Sequence, residues 1–366
     1  MRTGLFRAVA MILVIALLLG GSISAAATEP SETVPAATEA PAPEETVAEE
    51  TEPEETVPVE TEPVPEPKVY TVDTESEMYQ VLDALAPELV SDQILVYDAT
   101  NDEIFYTRSL EGEKLYPASI TKLYSAYVAL QYLGSEEVLT AGDELDLVKP
   151  GSSVAYIGRG HQLYVRTVVE AMMLPSGNDA AMILAAAAGR RIAGNPSIGA
   201  AEAVQTFVDE MNRMGEELGF ERSHFANPDG FHLGCHYTCL NDMARIAKLA
   251  LENKTIARYI RRYEDEVVFV SGQGIKWKNT NLFLSPEDGF YRSDAIGMKT
   301  GYTNQAQYCL MSAFKCSDGR TVVVGAFGTA DEYDRLRDTL KLINACQDQL
   351  KLEQKKAKEA QKNGTP

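Results

Sequence analysis

The first candidate for chemistry in this 366-residue chain is a serine with a lysine three positions later. The tetrapeptide S-I-T-K begins at Ser119 and ends at Lys122. A helix that opens at Ser119 places the lysine on the same face, one turn along. A serine hydroxyl is a poor nucleophile until a base removes its proton, and a lysine becomes that base when burial and a nearby positive charge lower its pKa. The pattern alone is weak, because it also occurs in ordinary helices.

Two further triplets follow the serine and the lysine. S-G-N spans Ser176 to Asn178, and taken alone it fits a loop that caps a helix. K-T-G consists of Lys299, Thr300 and Gly301, and taken alone it fits the end of a strand. A functional interpretation places K-T-G on an edge strand beside a cleft, where the glycine lets a substrate backbone approach closely.

The elements that must position these motifs follow from residue periodicity. Runs of β-forming residues bounded by turn residues predict a hairpin and three further strands, at residues 94–100 with 103–108, 266–270, 308–314 and 321–327. Helical periodicity predicts helices at 121–133, 165–174, 179–187, 201–218, 241–251 and 332–350. Strands from both ends of the chain therefore build one sheet, with a helical lobe inserted between them. We expect the active site in the cleft between sheet and lobe.

The order S-x-x-K, S-x-N, K-T-G is far more specific than any one triplet. Longer matches surround the triplets: P-A-S-I-T-K, S-G-N-D-A-A, F-A-N-P-D-G-F-H, N-T-N-L-F and K-T-G-Y-T. Over roughly residues 90–350 the chain resembles the low-molecular-mass penicillin-binding proteins, which are serine-type D-alanyl-D-alanine carboxypeptidases. The resemblance implies an α/β, β-lactamase/transpeptidase-like fold, with an antiparallel sheet flanked by helices and an inserted helical lobe.

The resemblance also implies residue roles. Ser119 attacks the carbonyl of the penultimate D-Ala, Lys122 is the general base, and Ser176 relays a proton to the leaving amine. The substrate-binding residues are Asn178, which also holds the lysine, together with Lys299, Thr300, Gly301, Tyr302 and Thr303. Lys299 and Thr300 receive the terminal carboxylate, and the N–H groups of Ser119 and Tyr302 form the oxyanion hole. The expected partners are peptidoglycan stem peptides, with β-lactams as covalent inhibitors, and no cofactor is expected.

Two alternatives to the carboxypeptidase remain. A β-lactamase of class A needs a glutamate in an E-x-x-L-N motif to activate water. Between the second and third triplets the only Leu-Asn is Leu240-Asn241, and the residue three before Leu240 is Tyr237. A non-catalytic wall-binding or β-lactam-sensing module is the other alternative, and the intact serines and lysines argue against it. One departure from many relatives is Gln307, where they carry glycine.

A metal site is the competing interpretation of one segment. His232, Cys235, His236 and Cys239 have the spacing of a zinc set if the segment is helical. The neighbouring Pro228, Gly230 and Gly234 indicate a loop instead, and the resemblance assigns a structural turn here. We therefore predict no metal. The lone Trp277 is expected to pack rather than to bind substrate.

The ends of the chain differ from its middle. Residues 1–27 have a positive start, an apolar run and small residues, and are predicted to be a signal peptide. Residues 28–68 contain 13 Glu and 9 Pro and predict a disordered spacer. Residues 69–353 form the predicted catalytic domain and 354–366 a polar tail. The protein is expected outside the cytoplasm, touching a membrane only through an uncleaved N-terminal segment. The net charge of −21 gives no basic patch for nucleic acid.

Overall fold

The computed structural model describes residues 68–109, 114–362 and 364. The predicted signal peptide, and the predicted spacer apart from Lys68, lie outside these residues. The helices are α1 Glu77–Asp83, α2 Thr121–Ala129, α3 Val165–Met173, α4 Asn178–Ile192, α5 Ala200–Glu217, α6 Leu240–Glu252, α7 Lys254–Ile260 and α8 Asp334–Lys362. The strands are β1 Gln93–Asp98, β2 Glu103–Arg108, β3 Val138–Thr140, β4 Gln162–Tyr164, β5 Glu264–Val268, β6 Gly274–Lys278, β7 Ala295–Thr303, β8 Gln307–Lys315 and β9 Thr321–Thr329.

Five strands form one antiparallel sheet in the order β2-β1-β9-β8-β7. The N-terminal hairpin therefore pairs with a C-terminal strand, as predicted from the chain ends. Every residue of β1 is buried because the sheet is covered on both faces. Ile94 and Val96 pack with α1 and α8, whereas Leu95 and Tyr97 belong to the core shared with the helical lobe. The strand β7 lies at one edge of the sheet.

The helical lobe is built around α2. All nine residues of α2 are buried, because the helix packs against α3, α4, α5, α6 and α7. A helix buried on every side shows little amphipathic pattern, and α2 accordingly has apolar and polar side chains distributed around its whole circumference, all of them buried. The residues that open this helix are therefore held rigidly at the junction between lobe and sheet.

The predicted fold class is confirmed, and several observed elements differ from the predicted ones in their boundaries or were not predicted. The predicted strand at residues 266–270 begins two residues earlier, and its partner β6 was not predicted. Also unpredicted are α1, α7, β3 and β4, which are all short. The last helix continues twelve residues beyond its predicted end at 350, through the polar segment. Among the described residues, no helix combines the length and apolar character needed to cross a membrane.

The turn between β7 and β8 accommodates Gln307 at a position whose backbone favours glycine. Its backbone has φ 55°, in the left-handed region that favours glycine. Its side-chain amide donates to the Asn304 carbonyl at 2.6 Å, across the turn. Glutamine is therefore accommodated with backbone strain of roughly 1–3 kcal/mol, partly offset by this bond.

Candidate active site

Ser119 and Lys122 meet at the start of α2. Residues Ala118–Ile120 form a single 3₁₀ turn that leads directly into the helix, close to the predicted helix start at the serine. The Lys122 Nζ lies 2.8 Å from Ser119 Oγ, 2.7 Å from Asn178 Oδ1 and 2.8 Å from the Asp229 carbonyl oxygen. Ala118 has φ 47°, so strained backbone stands directly before the serine. The lysine is thus fixed by three oxygens, one of them on the candidate nucleophile.

Burial makes this lysine a usable base. The side chain is fully buried, and burial lowers the pKa of Lys122 to about 8, while the carboxylates of Asp229 and Asp179 act in the opposite direction. A positive charge was also expected to contribute, but burial is the cause of the depression. Burial also lowers the pKa of Lys299 well below its usual value, with help from the charges on Lys122 and Arg335.

The S-G-N triplet lies where α3 gives way to α4. Ser176 has a left-handed backbone, φ 63°, and lines the cleft. Asn178 is the first residue of α4, and its N–H donates to the Ser153 carbonyl at 2.8 Å. The next residue, Asp179, accepts from the backbone N–H groups of Ala155 at 2.8 Å and Ile157 at 3.0 Å. These bonds tie the loop before β4 to the helix that carries the asparagine.

The K-T-G triplet is on the edge strand β7, as predicted. Lys299 is fully buried behind the cleft wall and donates to the Thr300 carbonyl at 3.0 Å. The Thr300 hydroxyl faces the cleft and shares a hydrogen bond with the Thr280 hydroxyl at 2.5 Å. A Cβ on Gly301 would lie 2.9 Å from the Pro117 carbonyl and 3.1 Å from the Ser119 nitrogen. Only a residue without a side chain lets this strand pass so close to the serine.

One cleft of about 750 Å³ connects the motifs. Of the nine predicted site residues, seven line it: Ser119, Ser176, Asn178, Thr300, Gly301, Tyr302 and Thr303. The two lysines, Lys122 and Lys299, are buried behind its wall. The structure therefore gathers all three motifs, although they are separated by up to 180 residues in the chain.

Arg335 was not predicted from the sequence. It extends from the first turn of α8 into the cleft lining and donates to the Gly301 carbonyl at 3.3 Å and the Cys309 carbonyl at 3.0 Å. Its Nε has no hydrogen-bond partner among the described residues. The guanidinium supplies a positive charge beside Thr300, suited to a carboxylate. No sequence signal marks it, because an arginine in a helix is common and its direction depends on the fold.

The His and Cys segment does not form a metal site among the described residues. Residues 232–239 are not helical, so the spacing that suggested zinc does not place the side chains on one face. His236 is buried instead, with Nδ1 accepting from the Ala226 N–H at 3.1 Å and Nε2 bonded to the Thr121 hydroxyl at 2.9 Å. Burial lowers the pKa of His236 to about 3, so the ring is neutral. Its two hydrogen bonds connect residue 226 to Thr121, the neighbour of Lys122 in the chain. Trp277 is buried and donates to the Ala155 carbonyl at 3.0 Å, consistent with the predicted packing role.

The family model for D-alanyl-D-alanine carboxypeptidases, peptidase family S11, matches residues 80–328. The chain belongs to this family. A D-alanyl-D-alanine carboxypeptidase of Streptomyces strain K15 is 30% identical over 249 residues, which cover 65% of this chain and 81% of that protein. DacF, the D-alanyl-D-alanine carboxypeptidase of Bacillus subtilis, is 28% identical over 248 residues, 66% of this chain. The match spans only 58% of the length of DacF.

Two solved structures share the fold of this chain. The crystal structure of the Streptomyces K15 DD-transpeptidase superposes with a TM-score of 0.62 and 27% identity, over 70% of this chain and 97% of that one. Penicillin-binding protein D2 of Listeria monocytogenes, solved in its ampicillin-bound form, gives a TM-score of 0.56 at 23% identity. It covers 70% of this chain and 97% of that chain. The S11 family fold therefore extends over the sheet, the lobe and the cleft between them.

Proposed function

We propose that this protein is a serine-type D-Ala-D-Ala carboxypeptidase that removes the terminal D-Ala from peptidoglycan stem peptides outside the cytoplasm. The observation that carries the proposal is the 2.8 Å contact between Lys122 Nζ and Ser119 Oγ. The lysine is buried and has a depressed pKa, so a fraction of it is neutral near neutral pH. A neutral amine at hydrogen-bond distance from a serine hydroxyl is the arrangement that acyl transfer requires.

The first half of the reaction forms an acyl-enzyme. Neutral Lys122 takes the proton of Ser119 as Oγ bonds to the carbonyl carbon of the penultimate D-Ala. The developing oxyanion accepts from the N–H groups of Ser119 and Tyr302. The C–N bond then breaks, and the proton that Lys122 took passes through the Ser176 hydroxyl to the amine of the departing D-Ala. Lys122 is then neutral again for the second half of the reaction. The closeness of β7 to the serine, which Gly301 permits, supports this assignment.

Substrate orientation follows from the cleft walls. The peptide lies along the edge strand, with the Asn178 amide on one side and Gly301 to Thr303 on the other. Thr300 receives the terminal carboxylate, and the buried Lys299 donates to the Thr300 carbonyl behind it. The Arg335 guanidinium stands nearby in the same lining and supplies the positive charge. Water then enters after D-Ala has left, and Lys122 with Ser176 activates it to release the shortened peptide.

Labelling with a penicillin tests the nucleophile. A β-lactam resembles the D-Ala-D-Ala backbone, so a labelled penicillin should acylate the full chain at Ser119, and Ser119→Ala should abolish the label. Ser152→Ala is the matched control, because Ser152 lines the same cleft but its hydroxyl has no hydrogen-bond partner among the described residues. The adduct is mapped by peptide mass spectrometry. A label that persists in Ser119→Ala would show that Ser119 is not the nucleophile.

A further inference from the structure

A second cavity adjoins the cleft. Its volume is about 350 Å³, and its lining includes Asp92, Tyr116, Gln305 and Phe327. Gln305 also lines the cleft, and Tyr116 packs edge-to-face on the cleft residue His232, with ring centroids 4.8 Å apart. The two spaces therefore meet at the exposed side chain of Gln305. The proposed mechanism gives this second cavity no role.

Asp92 supplies the second cavity with a negative charge. Its carboxylate has no hydrogen bond or ion pair among the described residues. The Oδ2 atom lies against Gly328, where a Cβ would be only 2.6 Å from that oxygen, and Gly328 has φ 79°. A glycine at this position therefore leaves room for the carboxylate at the cavity wall.

Lys114 is the one cationic residue in the described lining of this cavity. Its Nζ lies 4.0 Å from the centroid of the Tyr237 ring and 3.4 Å from the Gly234 carbonyl oxygen. Neither Tyr237 nor Gly234 lines the cavity, so the lysine charge is directed elsewhere and Asp92 is not neutralised by it. A free carboxylate in a cavity with aromatic walls suits an ammonium group, because carboxylates and ring faces both attract cations.

The direction of the bound peptide leads towards this cavity. In the proposed mechanism Thr300 receives the terminal carboxylate and the Tyr302 N–H binds the oxyanion, so the stem residues before the scissile bond lie beyond Tyr302. The strand β7 ends at Thr303, and the turn that follows it carries Gln305. Three residues of chain span at most about 11 Å. One peptide unit and an extended lysine-type side chain cover a similar distance.

We propose that the second cavity binds the side-chain ammonium group of the stem residue that precedes the two D-Ala residues, with Asp92 as its counter-ion. This inference rests on the proposed function, because the direction of the peptide follows from it. The preferred substrates are then stem peptides in which that residue carries a primary amine. Asp92 determines specificity and takes no part in making or breaking bonds.

The test compares three tripeptides of the form L-Lys-D-Ala-D-Ala on the full chain. The first has its α-amine acetylated and its side-chain amine free, the second has both amines acetylated, and the third has only the side-chain amine acetylated. The kcat/KM for D-Ala release should be about threefold or more higher for the first than for the second, the scale of an exposed ion pair. The gain should appear in KM, with kcat little changed. Asp92→Asn should abolish this difference.

Asp348→Asn is the matched control. Asp348 is an exposed aspartate on α8 that pairs with Lys351 at 3.0 Å, so its loss removes the same charge away from the cavity, and the difference between the first two peptides should persist. Equal kcat/KM for these peptides in the wild type, or a difference that survives in Asp92→Asn, overturns this inference alone. A preference for the third peptide that depends on Asp92 would place the peptide α-amine in the cavity and overturn the side-chain assignment. Absence of D-Ala release from all three peptides would contradict the proposed function, and this inference with it.

Discussion

At the residue scale, the proposed mechanism depends on one proton that Lys122 must accept. Replacing Lys122 by Arg keeps the positive charge but removes the base, because a guanidinium does not lose its proton in the working range. We expect the acylation rate constant to fall by at least ~10²-fold, the usual scale for loss of a general base. Lys276→Arg, an exposed lysine on β6, serves as the control and should acylate normally. Near-normal acylation in Lys122→Arg would contradict the base role.

The sequence pattern identified the three motifs but not the residues that contact them in the folded protein. The serines, the lysines and Asn178 were visible because their spacing matches a known order of triplets. Asp229 lay in a matching stretch and His236 in the candidate zinc set, but neither was assigned a contact with the first turn of α2, and Arg335 was not marked by any local pattern. Their contacts join positions more than 30 residues apart, and such distances are set by packing rather than by periodicity. The pKa of Lys122 is lowered by burial, and the fold determines how deeply this side chain is buried.

At the scale of the element, the turn at 227–231 passes close to the backbone of Ser119. Gly230 has φ +80°, and a Cβ there would lie 1.8 Å from the Ala118 carbonyl oxygen and 3.0 Å from the Ser119 nitrogen. Gly230→Ala must therefore displace either the turn or the backbone before Ser119. We expect a loss of stability of about 2 kcal/mol or more, on the scale of strained-backbone and overpacking changes, together with loss of penicillin labelling.

Gly234→Ala is the control for that substitution. Gly234 lies in the same loop, its backbone is not left-handed, and a Cβ there meets no described atom within 4 Å. Thermal unfolding and labelling stoichiometry of the two variants measure the difference. Equal stability and equal labelling in both would show that the close approach of Gly230 does not matter.

Long elements were predicted better than short ones. Five of the lobe helices and the hairpin β1–β2 carry enough periodic residues to be identified, whereas β3 and β4 have three residues each and their pairing depends on distant partners. The helix α8 continues past Leu350 because residues 351–362 are good helix formers. Its apolar periodicity ends near Leu350, so the periodic pattern predicts a shorter helix than the structure has.

At the scale of the whole molecule, the sheet assembled from both chain ends was predictable because strand patterns stand on either side of a helical block. What could not be predicted is how the lobe closes on the sheet, since this depends on α2 being buried on every side. That closure brings the triplets into one cleft and places both lysines behind its wall. The predicted boundaries of the exported leader, spacer and catalytic domain stay predictions.

The cleft also bears on the choice between carboxypeptidase and β-lactamase. A β-lactam leaves its amine tethered in the acyl-enzyme, where it blocks water, and class A β-lactamases overcome this with a glutamate that activates water. Among the described residues that line the cleft, Glu332 is the one residue with a carboxylate side chain. This carboxylate favours the charged form of Arg335. No carboxyl side chain in the described lining is hydrogen-bonded to Ser119. We therefore expect the penicilloyl adduct to persist.

The most direct measurement is the release of free D-Ala from a tripeptide that ends in D-Ala-D-Ala, followed beside the fate of benzylpenicillin on the same full-length preparation. We predict steady D-Ala release that disappears in Ser119→Ala, together with a penicilloyl adduct that persists for minutes or longer. Rapid catalytic hydrolysis of benzylpenicillin with negligible D-Ala release would contradict the proposal and make the protein a β-lactamase. Stable penicillin binding without any D-Ala release would instead identify a sensing or binding module.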